Sequence, residues 1–272
     1  MELKNIIIFV IIVVLIIIVI GYVKKDVNTL TDVVSAQSMQ TIEATSLATS
    51  SNSSSTSNFT YSIWFFIDDW NYRYGETKII FGRMIMGQTP PIPCPTVVLG
   101  PLENNILVSL AVYPGADEIP NDDVEEVIGG IDNAAMEICK AAGGTNCRAT
   151  NLSSSVSTCA IANVPIQRWC NLLVSVYGRT QDLYLDGKLV RTCVLPGVAK
   201  IDANAPVYVT PDGGFSGWTS KFQYWPNATD PQQAWNIYKA GYGSSMLGQL
   251  FGKYTVKVSL MEGDTVDSSF TF

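Results

Sequence analysis

Apolar and polar positions divide the 272-residue chain into a membrane-length segment, a polar linker and a long β-rich part. The run Ile6–Val23 is apolar over 18 residues. As a helix rising ~1.5 Å per residue it would span about 27 Å, close to the ~30 Å hydrocarbon core of a bilayer. A signal peptide would have a shorter apolar region and a small-residue cleavage site soon after it. We therefore predict a retained N-terminal transmembrane anchor at 1–25, then a stalk and Ser/Thr-rich linker at 26–57.

Beyond residue 58 the apolar residues occur in short runs or in alternation, a pattern that predicts strands. The first run, Phe59–Ile67, is aromatic and β-branched, and Asp186-Gly187 has the chemistry of a hairpin turn. Many short strands without interleaved helices indicate one sandwich domain at 58–272. The other predicted strands are Lys78–Phe81, Thr96–Leu99, Ile106–Val112, Leu172–Tyr177, Asp182–Asp186, Lys188–Val194 and the alternating run Tyr254–Leu260. An acidic, cysteine-containing stretch at about 114–159 interrupts the pattern and is predicted to be an insertion, either a solvated decoration or a functional loop.

Three stretches, in this order, resemble the concanavalin A-like lectin/glucanase superfamily and its laminin-G-like domains. They are Phe59–Ile67, Val164–Val176 with the following Leu183–Val190 hairpin, and Gly217–Trp225 with a short helix after Pro231. The resemblance implies an all-β, two-sheet antiparallel jelly-roll sandwich. It implies no activity, because this fold hosts lectins, adhesion modules, hydrolases and structural parts. In such a sandwich, alternation along the strands would place the large aromatic residues between the sheets, namely Trp64, Phe66, Trp169 and Tyr184.

Composition and charge exclude several functions. The chain carries 17 basic and 24 acidic residues, a net charge of −7, and no histidine. An acidic chain argues against a nucleic-acid partner, and the lack of histidine removes Ser-His-Asp catalysis and imidazole-bound zinc. Hydrolases on this fold that resemble laminarinases place catalytic carboxylates on one strand as Glu-x-Asp-x-x-Glu, a pattern absent here. We therefore predict that the protein is not an enzyme.

An aromatic and polar loop after the first strong strand is the candidate binding site. Its residues are Asp69, Trp70, Asn71, Tyr72, Arg73 and Tyr74. Sugars stack on aromatic rings while Asp, Asn and Arg bond their hydroxyls. The same residue types dominate protein–protein hot spots, so a glycan, a protein or neither remain open. The resemblance also suggests Ca²⁺ at the sandwich rim, with Asp68 and Asp69 as candidate ligands; no other metal or cofactor is predicted.

Cysteines and sequons bear on the compartment. The six cysteines lack C-x-x-C spacing, so disulfides are favoured over zinc, with Cys139–Cys147 and Cys170–Cys193 as suggested pairs. The complete set is Cys94, Cys139, Cys147, Cys159, Cys170 and Cys193. Glycosylation sequons begin at Asn52, Asn58, Asn151 and Asn227. The cysteines and sequons favour a domain outside the cytosol, whereas the lysine excess after the anchor favours a domain on the cytosolic side. The topology therefore stays open.

Two functions compete for such an anchored, non-catalytic domain. The anchor, tether and lectin-like domain resemble virion membrane or minor capsid proteins of large DNA viruses. That resemblance implies a structural role linking an internal virion membrane to a protein shell, where virus-encoded thiol oxidation would reconcile cysteines with a cytosolic face. The alternative is an adhesion module at the cell surface that binds glycans or a receptor.

Overall fold

The described part of the chain forms an antiparallel β-sandwich with one helix on its outside. A computed structural model describes residues 12–14, 16, 28–47, 57–85, 92–113, 156–243, 257–262 and 265–271. Their elements are β1 (Val34–Ser35), β2 (Gln40–Ile42), a 3-10 turn (Ala44–Ser46), β3 (Phe59–Asp69), β4 (Lys78–Ile85), β5 (Ile92–Leu99), β6 (Ile106–Ala111), β7 (Val156–Ile161), β8 (Trp169–Tyr177), β9 (Thr180–Leu185), β10 (Lys188–Val194), β11 (Val207–Val209), β12 (Ser216–Trp225), α1 (Pro231–Lys239), β13 (Lys257–Glu262) and β14 (Thr265–Thr271).

Two six-stranded sheets make the sandwich. Sheet A has the order β1-β12-β3-β8-β9-β10 and sheet B the order β2-β11-β4-β5-β6-β7, and every paired neighbour is antiparallel. This confirms the predicted all-β, two-sheet antiparallel class and most of the predicted strands. The strand expected near the C-terminus exists as β13, but it pairs with β14 in a separate two-stranded sheet.

The core lies between the sheets and is supplied by alternate residues of their strands. On β3, Tyr61, Ile63, Phe65 and Ile67 all belong to one buried apolar cluster. Successive side chains of a strand point to opposite faces, so the residues between them face away from sheet B. The core therefore takes every second residue of β3 and leaves the others on the outer face of sheet A.

The sandwich begins N-terminal to residue 58, inside the predicted stalk and linker. Strand β1 pairs with β12 and strand β2 with β11, and Ala36, Ile42 and Leu47 are buried in the core. These strands are two and three residues long, too short to show a periodic pattern in the sequence. Residues 26–27 and 48–56 of the predicted stalk and linker, and residues 114–155 of the predicted insertion, lie outside the described residues.

Most of the predicted anchor also lies outside the described residues. Within it, Ile12, Val13, Val14 and Ile16 are helical and have exposed side chains. In the part of the chain that can be described, no helix is both long and apolar enough to cross a bilayer.

A disulfide joins the two sheets at one edge. Cys159 on β7 is bonded to Cys193 on β10, the two edge strands, with their Cα atoms 6.1 Å apart. The suggested Cys170–Cys193 pair is wrong, because β9 lies between β8 and β10 and the Cys170 thiol is free and buried. Cys94 is also free and buried, and Cys139 and Cys147 lie outside the described residues.

Removal of the inter-sheet disulfide should destabilise the domain without changing its fold. Its cysteines are 34 residues apart, and closing a loop of that length in the unfolded chain is worth about 4 kcal/mol in the chain-entropy model. We expect the Cys159→Ala/Cys193→Ala variant to lose about 3–4 kcal/mol of unfolding free energy in non-reducing urea titrations. The difference from the unaltered chain should vanish in reductant, and a difference that persists there would contradict the assignment.

Candidate functional site

Helix α1 packs on part of the outer face of sheet A. Asp230 caps its N-terminus by accepting a hydrogen bond from the Gln233 amide at 2.7 Å, and Pro231 occupies its first turn, both typical of a helix start. The helix then buries Ala234 against Leu173 of β8 and Tyr184 of β9. The rest of the outer face is left to other side chains.

Four aromatic residues expected between the sheets lie on this outer face instead. Trp64 and Phe66 alternate with the core residues of β3, while Asn171 and Trp169 of β8 lie opposite them. Trp64 is buried because it stacks on Tyr238 of α1 at 5.5 Å, and Tyr184 is buried under the same helix. The prediction failed because β3 is apolar on both faces at this point, so alternation alone does not identify the inner one.

Beyond the helix, aromatic side chains form a partly open surface that we call the aromatic face: Phe66, Trp169, Trp218 and Tyr242. Trp218 of β12 lies opposite Phe66 of β3, and Phe66 lies opposite Trp169 of β8, so three adjacent strands contribute one row. Tyr242 stacks on Trp169, with ring centroids 4.5 Å apart and planes 8° apart. Trp218 is 49% exposed, and the other three are half-buried.

Two backbone features hold the aromatic face in place. A bulge at Ser216/Gly217 sets the register of Trp218, and a side chain at position 217 would collide with the Phe66 carbonyl oxygen, so glycine is required. The segment after α1 is tied down because Ser220 Oγ donates to the Tyr242 carbonyl at 2.6 Å. The stacked pair is therefore anchored to β12.

Charged groups border the aromatic face. Asp68 lies two residues after Phe66 near the end of β3, at the register shift opposite Ser216/Gly217, and it is exposed. Arg168, just before β8, forms an ion pair with Asp186, whose other oxygen accepts a hydrogen bond from the Asn171 amide at 2.9 Å. The Arg168 guanidinium is therefore already neutralised by its own domain.

The predicted binding loop follows β3 at the same end of the sheet, but its tryptophan, Trp70, packs against the core. The Trp70 indole donates to the Leu102 carbonyl at 3.3 Å, and its ring packs against the core and lies 4.6 Å from the Lys78 Nζ atom. Lys78 is only 1% exposed, and this atom has no hydrogen-bond partner among the described residues. Burial lowers the pKa of Lys78, and the neighbouring Arg73 charge lowers it further.

The middle of the loop is bound to the turn that precedes β12. Arg73 donates to the Asp212 carboxylate at 2.8 Å and to the Glu76 carboxylate at 2.6 Å. Tyr72 donates its hydroxyl hydrogen to the Gly213 carbonyl at 3.1 Å. These contacts use the polar groups that the sequence assigned to a ligand.

Only part of the predicted loop faces solvent. Tyr74 is 61% exposed and Asn71 is exposed. The Asp69 carboxylate accepts hydrogen bonds from the Asn71 amide and side chain at 2.9 and 3.1 Å, a local turn. Asp68 and Asp69 are the candidate Ca²⁺ ligands. Among the described residues, no third metal-binding side chain joins them in a group that could hold a metal ion.

The sequon threonines have a packing role. Thr60 and Thr229, from the sequons at Asn58 and Asn227, are both buried and bonded to each other at 2.9 Å. The Thr229 amide also donates to Ser175 Oγ at 2.9 Å, just before the start of α1. Asn227 is exposed and Asn58 half-buried, while Asn52 and Asn151 lie outside the described residues.

The molecule is therefore an antiparallel β-sandwich with an aromatic face at one end of the outer face of sheet A. No protein-family model matches the chain, and no curated protein matches its sequence. Among solved structures it is similar to the botulinum neurotoxin serotype G binding domain, with 11% identity, a TM-score of 0.46, and coverage of 77% of this chain and 46% of that one. It is similar also to the serotype D binding domain, with 10% identity, a TM-score of 0.45, and coverage of 71% and 39%. The chain thus spans less than half of each neighbour.

Trp70 and Tyr74 should separate the structural from the exposed part of the loop. Trp70→Ala removes a ring that packs on the core, so we expect a loss of about 2–3 kcal/mol in unfolding free energy. Tyr74→Ala removes an exposed ring and should change stability by less than about 0.5 kcal/mol. Urea titrations of both variants measure this, and equal effects would contradict the packing role of Trp70.

Lys78 should make stability depend on alkaline pH. Its folded pKa lies below the ordinary 10.5, so the folded state holds this proton less tightly and the penalty is present at neutral pH. The penalty disappears as the pH rises from the lowered folded value to 10.5. Lys78→Met should therefore be more stable than the unaltered chain at pH 7, by a margin that shrinks at alkaline pH. The exposed Lys188→Met is the control, and a margin independent of pH would refute the prediction.

Proposed function

We propose that this chain is a non-catalytic, membrane-anchored binding module that takes a carbohydrate on its aromatic face. The observation that carries the proposal is the row formed by Trp218, Phe66 and Trp169 across three adjacent strands, open to solvent at Trp218. Aromatic rings with polar groups at their edge are the composition of small-ligand sites. An exposed tryptophan next to other rings also marks a surface on which burial by a partner is favourable.

The arrangement suits a flat ligand. Because α1 packs beside it on the same side of sheet A, the aromatic face is an open surface next to the helix. Sugar rings present C–H groups to aromatic faces and hydroxyl groups at their edges. Asp68 and the exposed Asn71 offer acceptors and donors at the end of the sheet from which the predicted loop departs.

The absence of catalysis is part of the proposal. Glycoside hydrolysis uses two carboxyl groups that flank one bond. Asp68 and Asp69 end β3, and the Asp69 carboxylate accepts hydrogen bonds from the Asn71 amide and side chain. One carboxylate of this pair is thus already engaged, which disfavours a two-carboxylate mechanism here.

The anchor and location are also proposed. The apolar run Ile6–Val23 supports membrane attachment, as do exposed apolar side chains at helical residues such as Ile12 and Ile16. Cell-surface display fits the binding role. The alternative, a structural part between an internal virion membrane and a protein shell, rests on the sequence resemblance alone.

A glycan array probed with the full-length chain in sugar-free detergent tests the proposal. We expect specific binding that Trp218→Ala weakens about tenfold or more, because it removes the exposed ring at one end of the row. The control is Tyr177→Ala, which removes a ring that is 69% exposed at the far end of β8. Both variants should keep the unfolding free energy of the unaltered chain.

Absence of glycan binding by the unaltered chain would contradict the proposal. If the protein were then recovered at fixed stoichiometry in purified virus particles, the structural alternative would take its place.

A further inference from the structure

We infer that the end of the sandwich at which the chain enters rests on the lipid surface of the membrane that holds the anchor, so that the aromatic face is directed away from the bilayer. The inference rests on the membrane anchor of the proposed function and adds an interaction surface to it. Three observations support it: the length of the connection, the direction of entry and the side chains at that end.

The connection between the apolar run and the sandwich is short. The sequence predicts a stalk and linker at 26–57, but β1 and β2 lie in that range and belong to the two sheets. Asn28 is already bound to the sandwich, because its carbonyl accepts a hydrogen bond from the Tyr224 amide at 3.4 Å. Only Lys24–Val27 separate Asn28 from the apolar run. Since an extended chain covers at most ~3.5 Å per residue, Asn28 lies within about 18 Å of the end of that run.

The chain enters along the direction of the strands. The Leu30 amide donates to the Phe222 carbonyl at 2.8 Å, and Thr29 forms an antiparallel bridge with Gln223. Toward the N-terminus, these contacts therefore move toward the C-terminal end of β12, which lies beside the beginning of β3. We call this end of the sandwich the entry end. A chain that arrives from the bilayer by this route brings the entry end toward the lipid.

The aromatic face lies at the opposite end of the same strands. Thr60 lies at the entry end of β3 and Phe66 in the aromatic row. At ~3.3 Å per residue these positions are about 20 Å apart. A sandwich that lay on the outer face of sheet A would instead bring exposed polar side chains of α1 to the lipid, namely Gln232, Gln233 and Asn236. Contact of these amides with lipid is unfavourable, which supports the orientation on the entry end.

Exposed apolar side chains occur at the entry end. The segment 195–200 begins there, because the Leu195 amide donates to the Arg179 carbonyl at 2.7 Å in the β8–β9 turn, and β8 ends beside the beginning of β3. Leu195 is buried in the core. Val194 and Val198 on either side of it are exposed, Val194 by 68%. Burial of such side chains against lipid is favourable.

A tyrosine and a lysine adjoin these valines. The Tyr113 amide donates to the Val198 carbonyl at 2.9 Å, and the Tyr113 ring is exposed. The Lys200 Nζ atom lies 5.4 Å from the centre of that ring. Tyrosine and lysine both place an apolar part against lipid and a polar tip in water, as at membrane interfaces. The side chains of the entry end therefore suit a phospholipid surface.

Photocrosslinking of the full-length chain in phosphatidylcholine nanodiscs tests the inference. A small fraction of the lipid carries a photoactivatable group on its headgroup, and mass spectrometry locates the cross-linked residues. We expect cross-links at Tyr113 and at residues 196–200 of the entry end. Tyr74 and Trp218, which are exposed at the opposite end, should remain free of them.

Two matched substitutions measure the contribution of one apolar side chain. Val194→Asp puts a carboxylate in the contact and should lower cross-linking at 196–200 about threefold or more. Leu102→Asp is the control, because Leu102 is 50% exposed at the opposite end, where its carbonyl accepts the hydrogen bond of Trp70. It should leave the cross-linking unchanged. Both variants should keep the unfolding free energy of the unaltered chain, since both side chains are exposed.

The outcomes separate this inference from the anchor on which it rests. Cross-links at Trp218 and Tyr74 as strong as those at the entry end would refute the orientation. Absence of cross-links from both ends, in a chain that stays with the nanodiscs, would refute the contact, as would equal effects of Val194→Asp and Leu102→Asp. A chain that does not remain with the nanodiscs would refute the proposed anchor itself.

Discussion

The alternation of side chains along β3 determines most of the molecule. Strand β3 is central to sheet A, and its inward residues, among them Ile63 and Phe65, form the core with sheet B. Its outward residues change along the strand from the small hydroxyl side chains of Thr60 and Ser62 to the aromatic rings of Trp64 and Phe66. A register shift of one residue would exchange the inward and outward residues, and the polar outward residues would then face sheet B. The same constraint that builds the core therefore also arranges the outer surface, with a hydroxyl network under the start of α1 and an aromatic face at the other end.

Both edges of the sandwich are connected across its sheets, by different means. At one edge the chain passes from β1 in sheet A directly to β2 in sheet B, and Ala36 between them is buried. At the other edge the Cys159–Cys193 disulfide joins β7 to β10. The aromatic row crosses the middle of sheet A, away from both edges. Its three strands are therefore held between supported neighbours, and the spacing between their side chains follows from the sheet itself.

The fold was predictable where local patterns were long. The run Phe59–Ile67, the hairpin at Asp186-Gly187 and the helix after Asp230-Pro231 each carry their own signal, and all three are confirmed. Strand order is a global property, however, so the sequence could not show that β9 separates Cys170 from Cys193. Strands β1 and β2 were not predicted, because two or three residues are too few to show a periodic pattern.

The site was harder to predict, because residue types alone do not show which polar groups form hydrogen bonds with each other. Trp70, Tyr72 and Arg73 have the composition of a binding loop, yet their polar atoms bond the Leu102, Gly213 and Asp212 backbones or side chains. Trp218 carried a weaker signal, a tryptophan within a strand that follows one glycine-containing turn at Asp212-Gly213. Its exposure follows from the Gly217 bulge, which sets it opposite Phe66, while α1 packs farther along the sheet on Leu173 and Tyr184. The bulge thus determines that this ring is exposed, and the proposed ligand would cover it.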